Sequence, residues 1–157
     1  MTDKTMTEKT PVDDERQRDT TTRVPGVIEH RGVWPCLAYG DAPAAMRFLV
    51  DTLGFVETAR YGDGDRVDHA ELTWPHGGGI MLGSAGRDTA IDQHANTGSV
   101  YLVVPDDATV DRVHARVREA GAEIVVELRN EDYGSHGFTC RDPQGVHWSI
   151  GTYPGHP

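Results

Sequence analysis

Long apolar runs are missing from this chain, cysteine is scarce, and positive charge is outnumbered. No stretch of the 157 residues is apolar over the length that a transmembrane helix needs. The two cysteines, Cys36 and Cys140, lie far apart in apolar surroundings. No charged, apolar and small-residue leader precedes them, so they are expected to be free and buried rather than bridged. Fifteen Lys and Arg face 25 Asp and Glu, a formal net charge of −10 at pH 7. Such a chain lacks the positive field that nonspecific nucleic-acid binding requires. These absences predict a soluble, cytoplasmic protein with no nucleic-acid and no membrane partner. A catalytic nucleophile is missing as well. Ser-His-Asp chemistry has no local signature, and Gly77-Gly78-Gly79 opens a strand, whereas a phosphate loop opens a helix.

What is present falls into a tail and two similar halves. Residues 1–25 are rich in Thr, Asp, Glu, Lys and Arg and nearly devoid of large apolar side chains. They read as a disordered polar tail, because too little surface could be buried to offset the ordering entropy. From Val33 to Tyr39 an apolar run predicts a strand. Asp41 then caps a helix whose stripe is Ala42, Ala45, Met46, Leu49 and Leu53, with Pro43 in the first turn and Gly54 as the stop. Three short strands follow, Phe55–Tyr61, His69–Trp74 and one opening at Ile80, separated by Gly-rich turns. The second half repeats the order. Ser99–Val104 is a strand, Asp106 opens a helix striped by Val110, Val113 and Val117, Gly121 ends it, and three strands close the chain. The last two are joined by Asp142-Pro143-Gln144-Gly145, in which Pro fixes φ and Gly supplies the positive φ of a tight turn. Each half is therefore β-α-β-β-β. The fold class is α+β, with two tandem βαβββ modules, helices outside, and strands curled round a central cleft. Module one spans about 32–84, a polar linker 85–98 and module two 99–153, together one domain over 32–153.

Three motifs carry a resemblance to a known family. They are the opening strand with Asp41, its helix and Leu53-Gly54-Phe55; the helix stop Ala120-Gly121-Ala122-Glu123-Ile124; and Arg141-Asp142-Pro143-Gln144-Gly145-Val146-His147-Trp148. Over residues 32–153 the chain resembles the vicinal oxygen chelate superfamily of glyoxalases, bleomycin-resistance proteins and extradiol dioxygenases. That resemblance implies metal ligands on the opening strand of each module and on the strand after the Asp-Pro-x-Gly turn. Counting from Asp41, Asp106 and Asp142 places Trp34, Ser99 and Ser149 there. Neither Trp nor Ser is a usual ligand for Zn, Ni, Mn or Fe. The expected cofactor is therefore none, with no metal ligand assigned. The resemblance also implies a homodimer.

Other residues suit a ligand cleft. Trp34, Ser99, Tyr101, Thr139, His147 and Ser149 are expected to face inward, with Tyr133 and His136 closing one end and Trp74 covering another. His69 and Glu71 are two apart on one strand and so share a face. Phe138 and Trp148 are expected in the core. An aromatic and small-polar cleft suits a planar or amphipathic organic molecule held by stacking and a few hydrogen bonds. The resulting expectation is a metal-free binding protein similar to the bleomycin-resistance branch, sequestering a ligand such as an antibiotic. The alternative is a glyoxalase-like lyase, isomerase or dioxygenase with a divalent metal on His69, Glu71 and His147. In a third version, Glu71 or His69 serves as a metal-free general base.

Overall fold

Alternation along each strand decides which side chains build the core. The computed structural model describes residues 32–88, 90, 91 and 94–156, so the expected tail lies outside the described residues. In chain order the elements are β1 (Cys36–Tyr39), α1 (Ala42–Arg47), β2 (Val56–Tyr61), β3 (His69–Thr73) and β4 (Gly79–Ser84), then β5 (Ser99–Val103), α2 (Asp107–Glu119), β6 (Glu123–Asn130), β7 (His136–Arg141) and β8 (His147–Gly151). They form two four-stranded sheets. Sheet one has the order β1-β4-β3-β2 and sheet two the order β5-β8-β7-β6. In both, the first strand runs parallel to the last and the others pair antiparallel. The chain thus consists of the two βαβββ modules its repeat predicts.

Leu37, Tyr39, Ala70, Leu72, Ile80 and Leu82 point from sheet one into the core, and Leu102, Phe138, Cys140, Trp148 and Ile150 do so from sheet two. One apolar cluster joins both modules with Leu49 and Leu53 of the first helix and Val110, Val113 and Val117 of α2. Phe55 sits between two indoles, 5.0 Å from Trp74 and 5.7 Å from Trp148. Cys36 departs from expectation: it is exposed, while Cys140 is buried. The unbroken apolar run 33–39 hid the alternation that sends Leu37 and Tyr39 inward and Cys36 to the opposite face.

Both helices begin as their sequences require. Asp41 accepts from the Ala44 N–H at 2.9 Å, and Asp106 from both the N–H and the hydroxyl of Thr109 at 2.7 Å. Those two bonds from Thr109 hold the Asp106 carboxyl below the usual carboxylate range. The first helix widens after Arg47 into π-helical turns over Phe48–Leu53, and Gly54 ends it with φ +100°. The carbonyls freed at that end meet Arg116 of α2, whose guanidinium donates to Thr52 O at 2.8 Å and to Leu53 O at 3.1 Å. An unanswered buried carbonyl costs about 1–3 kcal/mol, so this cap offsets what the wide turns leave open.

The strands do not curl into one closed cleft. Among the described residues no strand of one sheet pairs with a strand of the other. The modules are joined instead through the core, through Arg116, and through two hairpin turns that each reach across. The turn between β7 and β8 is bonded from Asp142 N to Val146 O at 2.9 Å and from Gly145 N to Asp142 O at 3.1 Å; the turn between β3 and β4 repeats this with Trp74 N to Gly78 O at 3.1 Å and Gly77 N to Trp74 O at 3.0 Å. Trp74-Pro75-His76-Gly77 therefore stands where Asp142-Pro143-Gln144-Gly145 stands, and Gly77 and Gly145 have matching φ of +114° and +122°.

The second turn docks on the first module by polar contacts. The buried Asp142 carboxylate accepts from the N–H groups of Gln144, Gly145 and Val146 through Oδ1. Its Oδ2 accepts from Tyr39 Oη at 2.7 Å and Trp148 Nε1 at 3.1 Å. Gln144 accepts from Asp41 N at 2.7 Å and donates to Asp41 O at 2.6 Å. Burial, reinforced by the Asp142 charge, pushes the Tyr39 hydroxyl pKa far up, and the same two causes push the Cys140 thiol up to about 12. The first turn docks on the second module with its indole: Trp74 Nε1 donates to Val103 O at 2.8 Å.

Candidate functional site

Each sheet turns one face to the core and leaves the other open, and most of the expected site residues sit on those open faces. Strand pairing aligns them in rows. In sheet two, Tyr101 lies opposite Ser149, and Ser149 opposite Thr139. The hydroxyls of Thr139 and Ser149 are 2.9 Å apart and satisfy each other. Ser99, His147 and Arg141 form the adjacent row. Over the first row lies a cavity of about 180 Å³, walled by Tyr101, Tyr133, Thr139 and Ser149 with Val126 and Gly151.

The aromatic rim of this cavity is partly fixed and partly free. Tyr101 is 46 % exposed, yet its hydroxyl is anchored, accepting from Tyr153 N at 3.1 Å. A side chain at Gly151 would bring Cβ within 2.6 Å of that hydroxyl, so glycine there is what lets the ring lie down on β8. Tyr133, 68 % exposed, meets Tyr153 edge-on at 5.6 Å. Gly151 and Tyr153 were not singled out in the sequence. Only their positions just after the Ser149 register offered a signal.

Sheet one carries the corresponding row Cys36, Met81 and Glu71. His69 Nε2 lies 3.1 Å from Glu71 Oε1, and the Tyr61 ring lies 6.2 Å from the imidazole. A separate cavity of about 210 Å³ opens beside this row, lined by Cys36, Ala38, Ser84, Gly86 and Arg87. Arg87 donates to Asp68 O, and its guanidinium takes the space that a side chain at Gly83 would need.

His136 does not join Tyr133 and Thr139. It shares the parity of Phe138 and Cys140 and so faces α2, where its Nε2 lies 2.9 Å from Asp111 Oδ1 and its Nδ1 2.7 Å from Asn130 Oδ1. Trp34, half-buried just ahead of β1, belongs to the first module. Trp74 is buried at the module junction. The expected residues are therefore not gathered into one cleft within the chain. Ser99, Tyr101, Tyr133, Thr139, His147 and Ser149 accompany sheet two, while His69 and Glu71 lie on sheet one.

The donors on these faces do not fit the family's metal. The places that the resemblance marks hold Trp34, Ser99 and Ser149, and Met81 stands in module one where Ser149 stands in module two. None supplies an imidazole or carboxylate. His147 is in the other sheet from His69 and Glu71, and its Nε2 faces the Arg141 guanidinium at 3.2 Å, a neighbour that opposes a cation. Among the described residues, no group of three His, Cys, Asp or Glu side chains is placed to hold a metal ion. Nor, among them, is any helix long and apolar enough to cross a membrane.

Comparison with known proteins places this geometry in context. Residues 28–150 match the family model described as the glyoxalase/bleomycin resistance protein/dioxygenase superfamily. An uncharacterized protein of Mycobacterium bovis is 30 % identical over 125 residues, covering 74 % of this chain and 80 % of that one. TioX from Micromonospora sp. ML1 is similar in structure, with a TM-score of 0.64 and 28 % identity over 76 % of this chain and 98 % of its own. Lactoylglutathione lyase from Agrobacterium tumefaciens shares the fold at a TM-score of 0.58 and 18 % identity, covering 79 % of this chain and 95 % of its own.

Proposed function

The chain belongs to the glyoxalase/bleomycin resistance protein/dioxygenase superfamily, and from that premise we propose that it is a metal-free binding protein for an aromatic or amphipathic organic molecule. The ligand lies on the open face of sheet two. The observation that carries this reading is the pairing of an anchored ring, Tyr101, and an exposed one, Tyr133, around two mutually satisfied hydroxyls. Rings supply stacking surface at low entropic cost, and hydroxyls that can re-aim their protons give a few oriented hydrogen bonds. The row itself has neither carboxylate nor imidazole, and the carboxylate on the cavity wall, Glu131, is held by Arg129 Nε at 2.6 Å. Binding by complementary surface needs neither.

In the same reading the protein works in the cytoplasm as a homodimer, which would lay a second chain near the faces that one chain leaves open. A two-fold pair would carry two equivalent sites. Sedimentation at micromolar concentration tests this part, and a monomer alone overturns it.

The binding reading is tested by titrating the full chain with a panel of aromatic and glycopeptide antibiotics while following tyrosine and tryptophan fluorescence. At least one member is expected to give a saturable change that Tyr133→Ala weakens about tenfold, the value of one lost stacking contact of about 1.4 kcal/mol. Silence from every member, or binding that appears only with added divalent metal and disappears with chelator, overturns it. Elemental analysis of untagged protein after reconstitution supplies the independent check on metal.

A further inference from the structure

The hairpin turn of module one leaves open a space that its counterpart in module two fills. Val146, fully buried, closes the second turn and packs 3.7 Å from where a side chain at Gly98 would begin. The counterpart of Val146 is Gly78, and that of Gly98 is Val33, once Cys36 is set on Tyr101 by the shared strand register. Bulk and gap have changed places, but not in a way that cancels. Val33 is 81 % exposed, and side chains built at Gly77 and Gly78 would touch nothing within 4 Å. The result is a cavity of about 220 Å³ between the turn, the segment ahead of β1, and β5.

We propose that this junction cavity is a second binding site, separate from the open face of sheet two, for a neutral planar aromatic molecule of one or two fused rings. The size suits a pocket half open to solvent: a closed cavity of about 150 Å³ takes benzene, and drug-sized sites begin at about 300 Å³. The walls fit too. Phe55 and Trp74 stand 5.0 Å apart at 51°, and His76 meets the Trp74 indole edge-on at 5.4 Å, so ring surfaces border the space. Glycine at 77–79 leaves bare backbone against which a flat ring can lie closely. No Asp, Glu, Lys or Arg lines the cavity, and the one indole N–H beside it is already bonded to Val103 O. A cationic ligand would find no carboxylate there to offset the hydration it gives up. Tyr101 borders both this cavity and the sheet-two site, so it is the shared wall between them.

The probe is 2-naphthol, added to the isotopically labelled full chain while backbone and indole N–H resonances are followed. Saturable shifts are expected at Gly77, Gly78, Gly79 and the Trp74 indole. Val33→Trp, a change at an exposed position on the rim, should block entry and weaken the interaction about tenfold. Val100→Phe, which fills the cavity from β5, should do the same, and Tyr133→Ala should not. Shifts confined to Thr139, Ser149 and Tyr133 overturn the junction site while leaving the sheet-two reading intact. The absence of any saturable shift, or an unchanged affinity in Val33→Trp, also overturns it.

Discussion

The two hairpin turns have the same length, the same backbone hydrogen bonds and the same Pro–x–Gly spacing, yet they secure the module junction by opposite means. Module two sends a carboxylate that gathers five donors, one of them from the other module. Module one sends an indole that covers the core and spends its one N–H on a strand carbonyl. A duplicated backbone thus fixes where the junction is held, and the side chains remain free to choose how. The same division holds on the open faces, where one row is Cys36, Met81 and Glu71 and the other Tyr101, Ser149 and Thr139.

Removing each anchor in turn should reveal the asymmetry of the two turns. Asp142→Ala leaves the Tyr39 hydroxyl and the Trp148 N–H buried without an acceptor and is expected to cost about 3–5 kcal/mol. Trp74→Phe keeps most of the apolar cover and should cost only about 1–2 kcal/mol, through one hydrogen bond and a small gap. Urea midpoints of the two variants measure the difference, and equal losses would erase the asymmetry. Arg116→Ala strips the cap from the first helix and should cost about 2 kcal/mol, with amide exchange at Gly54 and Phe55 rising before that at β7.

Alkali should separate the turns without mutation. Tyr39 and Cys140 both have raised pKa values in the fold, so each contributes stability that is complete below its unfolded value and lost as pH climbs above it. Those unfolded values are 10.0 and 9.0, and both groups contact or neighbour Asp142, whereas the Trp74 turn has no such group. Stability followed from pH 8 to 11 should therefore fall, and Tyr39→Phe should flatten the upper part of that fall. Smaller still is Gln144→Ala, about 1 kcal/mol, which loses two bonds to the backbone of Asp41. For the site, Gly151→Ala should displace the Tyr101 ring and weaken ligand binding several-fold, at a stability cost of about 1–3 kcal/mol because the buried position also crowds Ser135 Oγ and the His136 carbonyl.

The order of elements, both helix caps and both stops were legible because each depends on a few neighbouring residues. Asp41 and Gly54, and Asp106 and Gly121, act within a turn of themselves. Asp142 was legible only as a turn residue. Its partner Tyr39, like Asp41 beneath Gln144, is 103 positions away, and nothing local announces such a contact. The facing of His136 was open to view, since Phe138 and Cys140 share its parity and are plainly apolar. Cys36 was harder, for its strand has no polar residue to mark the outer face. The separation of the site residues onto two sheets depends on how the modules dock, which periodicity within either one does not encode.

The reciprocal docking of the turns has a bearing on ancestry. Each half completes the other across a surface, and the peptide that joins them also raises the effective concentration of one for the other. A molecule built this way can begin as two separate copies that already grip one another and become a single gene by fusion at no cost in shape. Once fused, the copies no longer need to match, and an indole and a carboxylate could come to occupy what was one position.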